Sequence, residues 1–195
     1  NDGIDDIIVG AEGVDFPGKP EAGAAYVIFG SKEGFNLDNG NFDLTGLDGS
    51  NGFVIEGRTA RDDFGQSVSG GVDINGDGID DIVIGAENAE PNDNGDLGEA
   101  LVIYGSSDPF PAVIDSANLN GDNGLIIPGI IGNRELGKGI SILQDINNDG
   151  LGDFIIDAGI SSESLIYDRG AYVIYGSDAI RVGVEENSAF VIDVE

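Results

Sequence analysis

The stretch Asp73-Ile74-Asn75-Gly76-Asp77-Gly78-Ile79-Asp80-Asp81 places oxygen-bearing side chains at its positions 1, 3, 5 and 9. The pattern returns at Asp145-Ile146-Asn147-Asn148-Asp149-Gly150-Leu151-Gly152-Asp153, and its second half opens the chain at Asn1-Asp2-Gly3-Ile4-Asp5-Asp6. A hard cation such as calcium takes about six to eight oxygen ligands at roughly 2.3–2.6 Å, and a short loop supplies them only by coiling tightly around the ion. Gly78, Gly150 and Gly3 follow the third ligand position. There a coil of positive φ is expected, with the backbone carbonyl of the next residue turned inward. The candidate donors are therefore Asp73, Asn75, Asp77, Ile79 and Asp81 in one loop, and Asp145, Asn147, Asp149, Leu151 and Asp153 in the next. Asp2, Ile4 and Asp6 form the corresponding half of a third, so two complete calcium sites and one truncated site are expected. Asp80 and Asp5 fall between ligand positions and are expected to be solvated. Asp, Asn and Gly also build ordinary hairpin turns without a metal. Carboxylates at positions 1, 5 and 9 in successive loops go beyond what a turn requires.

The flanks of the loops are strand-like. An EF-hand closes with a bidentate Glu at position 12, between helices, whereas here position 12 is Ile84 or Ile156. The closing carboxylate comes earlier, from Asp81 or Asp153, and an apolar β-branched run follows: Ile82-Val83-Ile84 or Phe154-Ile155-Ile156. Such runs bounded by Gly and Asp read as buried strands. Phe64-Gly65-Gln66-Ser67-Val68-Ser69-Gly70-Gly71 and Leu136-Gly137-Lys138-Gly139-Ile140-Ser141 read as weaker strands ahead of the loops. Each loop is thus expected to turn a β-hairpin.

The similarity extends well past the loop. From Asp73 to Asp145 is 145 − 73, a step of 72, which also links Phe64-Gly65 to Leu136-Gly137 and Asp43–Gly57 to Asp115–Gly129. A third strand signal recurs as Tyr26-Val27-Ile28-Phe29-Gly30-Ser31, Leu101-Val102-Ile103-Tyr104-Gly105-Ser106 and Tyr172-Val173-Ile174-Tyr175-Gly176-Ser177. Four short strands fill such a unit with no helix. The fold class expected is all-β, a partial β-propeller of four-stranded antiparallel blades with fewer than three blades in this chain. Residues 1–63 read as a partial blade holding strands 2 to 4, 64–135 as a complete blade, and 136–179 as strands 1 to 3 of a third. Residues 180–195 do not resemble the fourth-strand segment, and read as a diverged outer strand or the start of a cadherin-like domain. A β-sandwich array is the alternative; it requires a full core with central aromatic anchors in each unit, which the sequence does not display.

These motifs resemble the FG-GAP repeat of integrin α-subunit propellers and their bacterial relatives. Phe64-Gly65 and Gly85-Ala86-Glu87 carry the resemblance, with Gly10-Ala11-Glu12 in the first copy. In the third copy Leu136 replaces the Phe and Asp157-Ala158-Gly159 stands in the second motif. The resemblance covers residues 1 to about 177. It implies calcium loops between the first two strands of each blade and a full propeller of seven blades, so the chain is expected to be a segment of a longer protein. Its partners would then include neighbouring blades of that protein.

The chain has 195 residues, a formal charge of −29, and no Cys, His, Met or Trp. That charge repels phosphate and anionic lipid, so neither nucleic acid nor direct membrane insertion is expected. Without His or Cys there is no Ser-His-Asp triad, Cys-His pair or imidazole-bound zinc. Calcium modules with affinities of about 0.1–1 mM fill only outside the cell, so an extracellular or cell-surface setting is expected. No Asn-X-Ser/Thr sequon occurs, which fits a bacterial surface or secreted protein. The expected function is a non-enzymatic, calcium-stapled module for cell adhesion or for binding an extracellular protein or glycan. The alternative is an accessory propeller of a secreted hydrolase, phospholipase D-like or carbohydrate-active. Tyr26, Tyr104, Tyr172 and Tyr175 could stack on sugars, but their place within strand runs favours packing.

Overall fold

The computed structural model describes residues 3–35, 37–90, 97–129, 133–161, 167–177 and 189–194. Its strands are β1 (Ile7–Ala11), β2 (Ala24–Ile28), β3 (Gly52–Glu56), β4 (Phe64–Val72), β5 (Asp81–Ala86), β6 (Glu99–Ile103), β7 (Val113–Asp115), β8 (Gly124–Pro128), β9 (Asn133–Arg134), β10 (Ile140–Leu143), β11 (Asp153–Ser161), β12 (Tyr167–Ile174) and β13 (Ala189–Val194). They form three sheets, ordered β1-β2-β3-β7, β4-β5-β6-β8 and β10-β11-β12-β13, with β9 beside the far end of β11. The chain is all-β, and its sheets are those of successive propeller blades.

The middle sheet explains why its strands read as unbroken apolar runs. Side chains alternate between the faces of a strand, and both faces of this sheet are covered. Ile84, Ala86, Leu101 and Ile103 point into one core with Ala25, Val27, Phe53 and Ile55 of the first sheet. Val83, Ala100, Val102 and Leu125 point into a second core with Leu136, Phe154 and Ile156 of the third unit. The cores thus lie between units rather than inside them. Buried aromatic anchors do exist, contrary to the sequence reading: Phe53, Phe64 and Phe154 are all fully buried. A sandwich does not fit, because among the described residues the two cores lie between units rather than within one.

The Phe-Gly and Gly-Ala motifs interlock across these seams. A side chain at Gly10 would start 1.8 Å from the Gly65 carbonyl oxygen, and one at Gly85 would start 1.8 Å from that of Gly137. Phe64 bridges in parallel to Gly23, as Leu136 does to Gly98. Polar contacts join the same seams. Arg58, just after β3, pairs with the buried Glu99 of β6, its Nε 3.1 Å from Oε1. Lys138 Nζ stands 3.0 Å from Oε2 of Glu87, whose Oε1 accepts from Gln66 Nε2 at 2.6 Å.

Three details differ from the sequence reading. The strand expected from Leu136 starts only at Ile140, because Glu135 (φ 63°) and Gly137 (φ 90°) break the extended run; in β4 the matching irregularity is absorbed as a bulge after Phe64. Two single-turn 3-10 helices, Leu44–Gly46 and Ser116–Asn118, occur where none was expected, each opened by a capping side chain, Asp43 or Asp115. The strand added outside β3 is borrowed: β7 belongs in sequence to the second unit, yet runs parallel to β3, pairing Val54 with Val113 and Glu56 with Asp115. Phe110 leads it there, its ring stacked on Phe53 with centroids 4.4 Å apart, and Ser116 Oγ closes the strap by donating to the Glu56 carbonyl oxygen at 2.6 Å.

The tail, read as a diverged outer strand or as the start of a cadherin-like domain, lies at the outer edge of the third sheet. β13 pairs antiparallel with β12, Phe190 opposite Val173, as Phe53 of β3 lies opposite Val27. Phe190-Val191-Ile192-Asp193 repeats Phe53-Val54-Ile55-Glu56. A fixed repeat step hides this, because the connections differ: Ile28 to Gly52 is 24 positions, Ile103 to Gly124 is 21, and Ile174 to Ala189 is 15.

Because Phe53 is enclosed by both units, Phe53→Ala should lower stability by about 3–5 kcal/mol in denaturant unfolding. Phe110→Ala, which removes a partly buried ring, should cost roughly half of that.

Candidate metal centre

The loop between β4 and β5 is held by its own acidic side chains. Asp73 Oδ1 accepts from the Gly76 amide at 2.6 Å and Oδ2 from the Gly78 amide at 2.7 Å. Asn75 Oδ1 accepts from the Asp77 amide at 2.9 Å, and Asp77 Oδ1 accepts from the Ile79 amide at 2.8 Å. The loop between β10 and β11 repeats three of these four bonds: Asp145 Oδ2 with Gly150 at 2.8 Å, Asn147 Oδ1 with Asp149 at 3.1 Å, and Asp149 Oδ1 with Leu151 at 2.9 Å. Gly78, Gly150 and Gly3 take φ of 85°, 93° and 81°. A Cβ on any of them would meet nothing within 4 Å, so backbone conformation rather than space calls for glycine there.

Position 9 behaves differently from the others. Asp81 and Asp153 are fully buried. Asp81 Oδ2 accepts from the Ile74 amide and Oδ1 from the Gly105 amide, both at 2.8 Å. Asp153 does the same with Ile146 at 2.8 Å and Gly176 at 3.0 Å, and Asp6 Oδ1 accepts from Gly30 at 2.8 Å. One carboxylate therefore ties the loop to the end of the third strand of its unit. Gly30, Gly105 and Gly176 were missed as site residues in the sequence, although their recurrence in the Tyr/Leu-Val-Ile-aromatic-Gly-Ser signal was visible. Their role is close approach: a Cβ on Gly105 would lie 2.5 Å from the Asp80 carbonyl oxygen, and one on Gly30 would lie 2.4 Å from that of Asp5.

Burial pushes the Asp81 carboxyl up to about 6, against the pull of the two amides that donate to it, with the nearby Asp77 charge adding to the rise. Burial likewise raises Glu99 at the seam to about 7, with Arg58 holding it down and Asp62 pushing it further up.

The structure gathers Asp73, Asn75, Asp77, Ile79 and Asp81 in one loop, and Asp145, Asn147, Asp149, Leu151 and Asp153 in another. Ile4 and Asp6 occupy the matching place ahead of β1, and Asp2 lies outside the described residues. Asp80 and Asp5 are exposed. Among the described residues no group of three or more acidic side chains converges as a ready ion cage; the loop oxygens are turned to backbone amides instead. The donor set itself, carboxylates with one carboxamide and one carbonyl per loop, is all-oxygen and fits a hard cation such as calcium. If bound, the ion would neutralise carboxylates crowded into one turn. Of the four tyrosines considered for sugar stacking, Tyr104 and Tyr172 pack against the second core, and Tyr26 and Tyr175 are half-buried. No helix among the described residues is long and apolar enough to cross a membrane.

With these loops and interlocked motifs in place, the FG-GAP repeat family model matches residues 64–103. The chain is similar to integrin alpha pat-2 of Caenorhabditis briggsae, 42% identical over 85 residues, which are 44% of this chain and 6% of that protein. The pat-2 integrin of Caenorhabditis elegans is 38% identical over the same length. Phosphatidylinositol-glycan-specific phospholipase D of Rattus norvegicus is 33% identical over 108 residues, 54% of this chain and 12% of that protein. The chain thus spans only a small part of the relatives it matches.

Two outcomes follow from the buried carboxyls. In chelator, Asp81→Ala strands two amides and should cost about 2–3 kcal/mol, whereas Asp77→Ala, on the exposed rim, should stay within about 0.5 kcal/mol. Glu99 is raised from 4.5 to about 7, so between those pH values the folded chain keeps a proton that the unfolded chain has lost. Stability at this group is therefore greatest below that window and falls as pH rises through it. Melting curves in chelator should show a shallower fall with pH for Glu99→Gln than for the parent.

Proposed function

We propose that the chain is an arc of a calcium-stabilised propeller module of an extracellular or cell-surface protein, acting in cell adhesion or in binding a protein or glycan. The observation that carries this reading is the loop, whose main side-chain-to-amide bonds recur in two units and which is tied in each to the third strand through a buried position-9 carboxylate. The FG-GAP match and the likeness to integrin α-chains support the extracellular setting. Calcium in this reading is structural: it is held by Asp73, Asn75, Asp77, Asp81 and the Ile79 carbonyl, and by their counterparts Asp145, Asn147, Asp149, Asp153 and Leu151. Its chemistry is charge neutralisation, since loop oxygens fill the sphere of such an ion. Neighbouring repeat units and an extracellular ligand are the partners proposed, and the loops on the opposite side of the blades would carry recognition. Nucleic acid is not among the partners, given a charge of −29.

A second reading rests on the likeness to phosphatidylinositol-glycan-specific phospholipase D, which extends over 54% of the chain. The arc would then be an accessory module, non-catalytic itself, of a hydrolase. Assay of the full-length protein for phosphodiesterase or glycosidase activity, alongside adhesion and glycan-array measurements, separates the two.

Calorimetry tests the metal. Calcium at about one hundred times its dissociation constant should add roughly 2.7 kcal/mol per filled site, and chelator should remove the gain. Asp77→Ala and Asp149→Ala should each lose the contribution of one loop. Melting that is indifferent to calcium would sink the structural-metal reading.

A further inference from the structure

The two acidic loops touch. The Gly152 amide of the β10–β11 loop donates to the Asp73 carbonyl oxygen of the β4–β5 loop at 2.7 Å, and the Ser177 amide donates to the Ile74 carbonyl oxygen at 2.9 Å. Gly152 lies between Leu151 and Asp153, two candidate donors of its own loop, while Asp73 is the first candidate donor of the other. Ser177 follows Gly176, whose amide is taken by the Asp153 carboxylate at 3.0 Å. Two successive amides just past β12 therefore hold two different loops: one binds position 9 of its own unit, and the next binds position 2 of the unit before.

The fit is close enough to transmit a change of position. A Cβ on Gly152 would lie 2.4 Å from Val72 Cβ, and one on Gly176 would lie 2.6 Å from the Gly152 carbonyl oxygen and 2.8 Å from that of Ile74. One on Gly76 would meet Leu151 Cδ2 at 3.2 Å. Ile74 itself is fully buried, in the core shared with Phe154 and Ile156 of the third unit. The β4–β5 loop is thus anchored on both sides, to its own unit through Asp81 and to the next through Asp73 and Ile74.

We infer that the two loops take up calcium cooperatively, an ion in either loop raising the affinity of the other. The inference rests on the reading of the loops as calcium sites. Their oxygens are held by the loops' own amides, so taking up an ion exchanges those bonds for a fixed arrangement around the cation, and the cost of that ordering is part of the affinity. Ordering Leu151 and Asp153 orders the Gly152 amide between them, and with it the Asp73 peptide. A second ion then meets a loop whose ordering is partly done, which couples two sites without a change of shape, and by linkage the effect is equal in both directions. Charge works the other way, because an ion in one loop weakens the negative potential that draws an ion to the next. At about 0.15 M salt, however, exposed charges are screened beyond roughly 8 Å. Asp77 and Asp149 are exposed, whereas the backbone contacts are indifferent to salt. Ordering therefore prevails, with a coupling of about fivefold, the low end for linked sites.

Calcium titration of the 195-residue chain by calorimetry at about 0.15 M salt tests it. The parent is compared with Asp77→Ala, which leaves the β10–β11 loop, with Asp149→Ala, which leaves the β4–β5 loop, and with the double variant as background. The parent should bind its second ion about fivefold more tightly than the single-loop variants predict. Amide hydrogen exchange followed by NMR gives a second readout: in Asp149→Ala, calcium entering the β4–β5 loop alone should slow exchange at Gly152 and Ser177, in the other unit. A parent isotherm equal to the sum of the two single-loop isotherms, or Gly152 and Ser177 amides unmoved by calcium in Asp149→Ala, overturns the coupling and leaves the metal reading standing. Absence of calcium binding in the parent would overturn both.

Discussion

The position-9 carboxylate is the contact on which each unit depends. A hairpin loop of nine residues rich in Asp and Gly has little apolar surface with which to hold itself, and its neighbours are strands that must keep register. Asp81 and Asp153 solve this by going inside: each spends both oxygens on amides, one in the loop and one at the end of the third strand. The loop thereby becomes part of the sheet's end rather than an ornament on it. The buried charge is costly, which is why the Asp81 carboxyl is pushed up to about 6. The same feature makes the loop suited to a cation, whose charge would offset what burial takes away.

Around that pin the packing is collective. A sheet with apolar side chains on both faces is insoluble unless both are covered, and the middle sheet is covered by its two neighbours. The interlocked glycines bring the units into backbone contact, and the Arg58–Glu99 and Lys138–Glu87 pairs set the few cations of a very acidic chain at the seams. Acidic loop, seam and core are thus successive levels of one arrangement.

Much of this was legible in the sequence, for physical reasons. The spacing of Asp and Asn in the loops, the glycine at their sixth position and the apolar run after position 9 are local, and the structure keeps them as a turn and a buried strand. The 72-residue step exposed the unit because corresponding strands meet corresponding environments. What escaped depended on distant partners. Nothing local in Val113–Asp115 says that it will join β3 rather than a strand of its own unit. The tail was obscured by a connection of different length, although Phe190–Asp193 repeats Phe53–Glu56 almost letter for letter. The glycines at positions 30, 105 and 176 were seen as part of a signal but not understood, since their purpose is to admit a loop that arrives from elsewhere in the chain.

The borrowed strand also bears on how the protein is made. As the chain emerges from the ribosome, the first sheet can assemble β1, β2 and β3 once Glu56 is available, but its outer edge stays unpaired, and Phe53 lacks its stacked partner, until Phe110 to Ser116 has followed. The first unit therefore cannot mature alone. It waits, half finished, for roughly sixty more residues, during which an open strand edge is offered to the surroundings. In a strongly charged chain, mutual repulsion between nascent copies would guard that interval, giving the acidic surface a purpose during synthesis that the finished fold no longer displays.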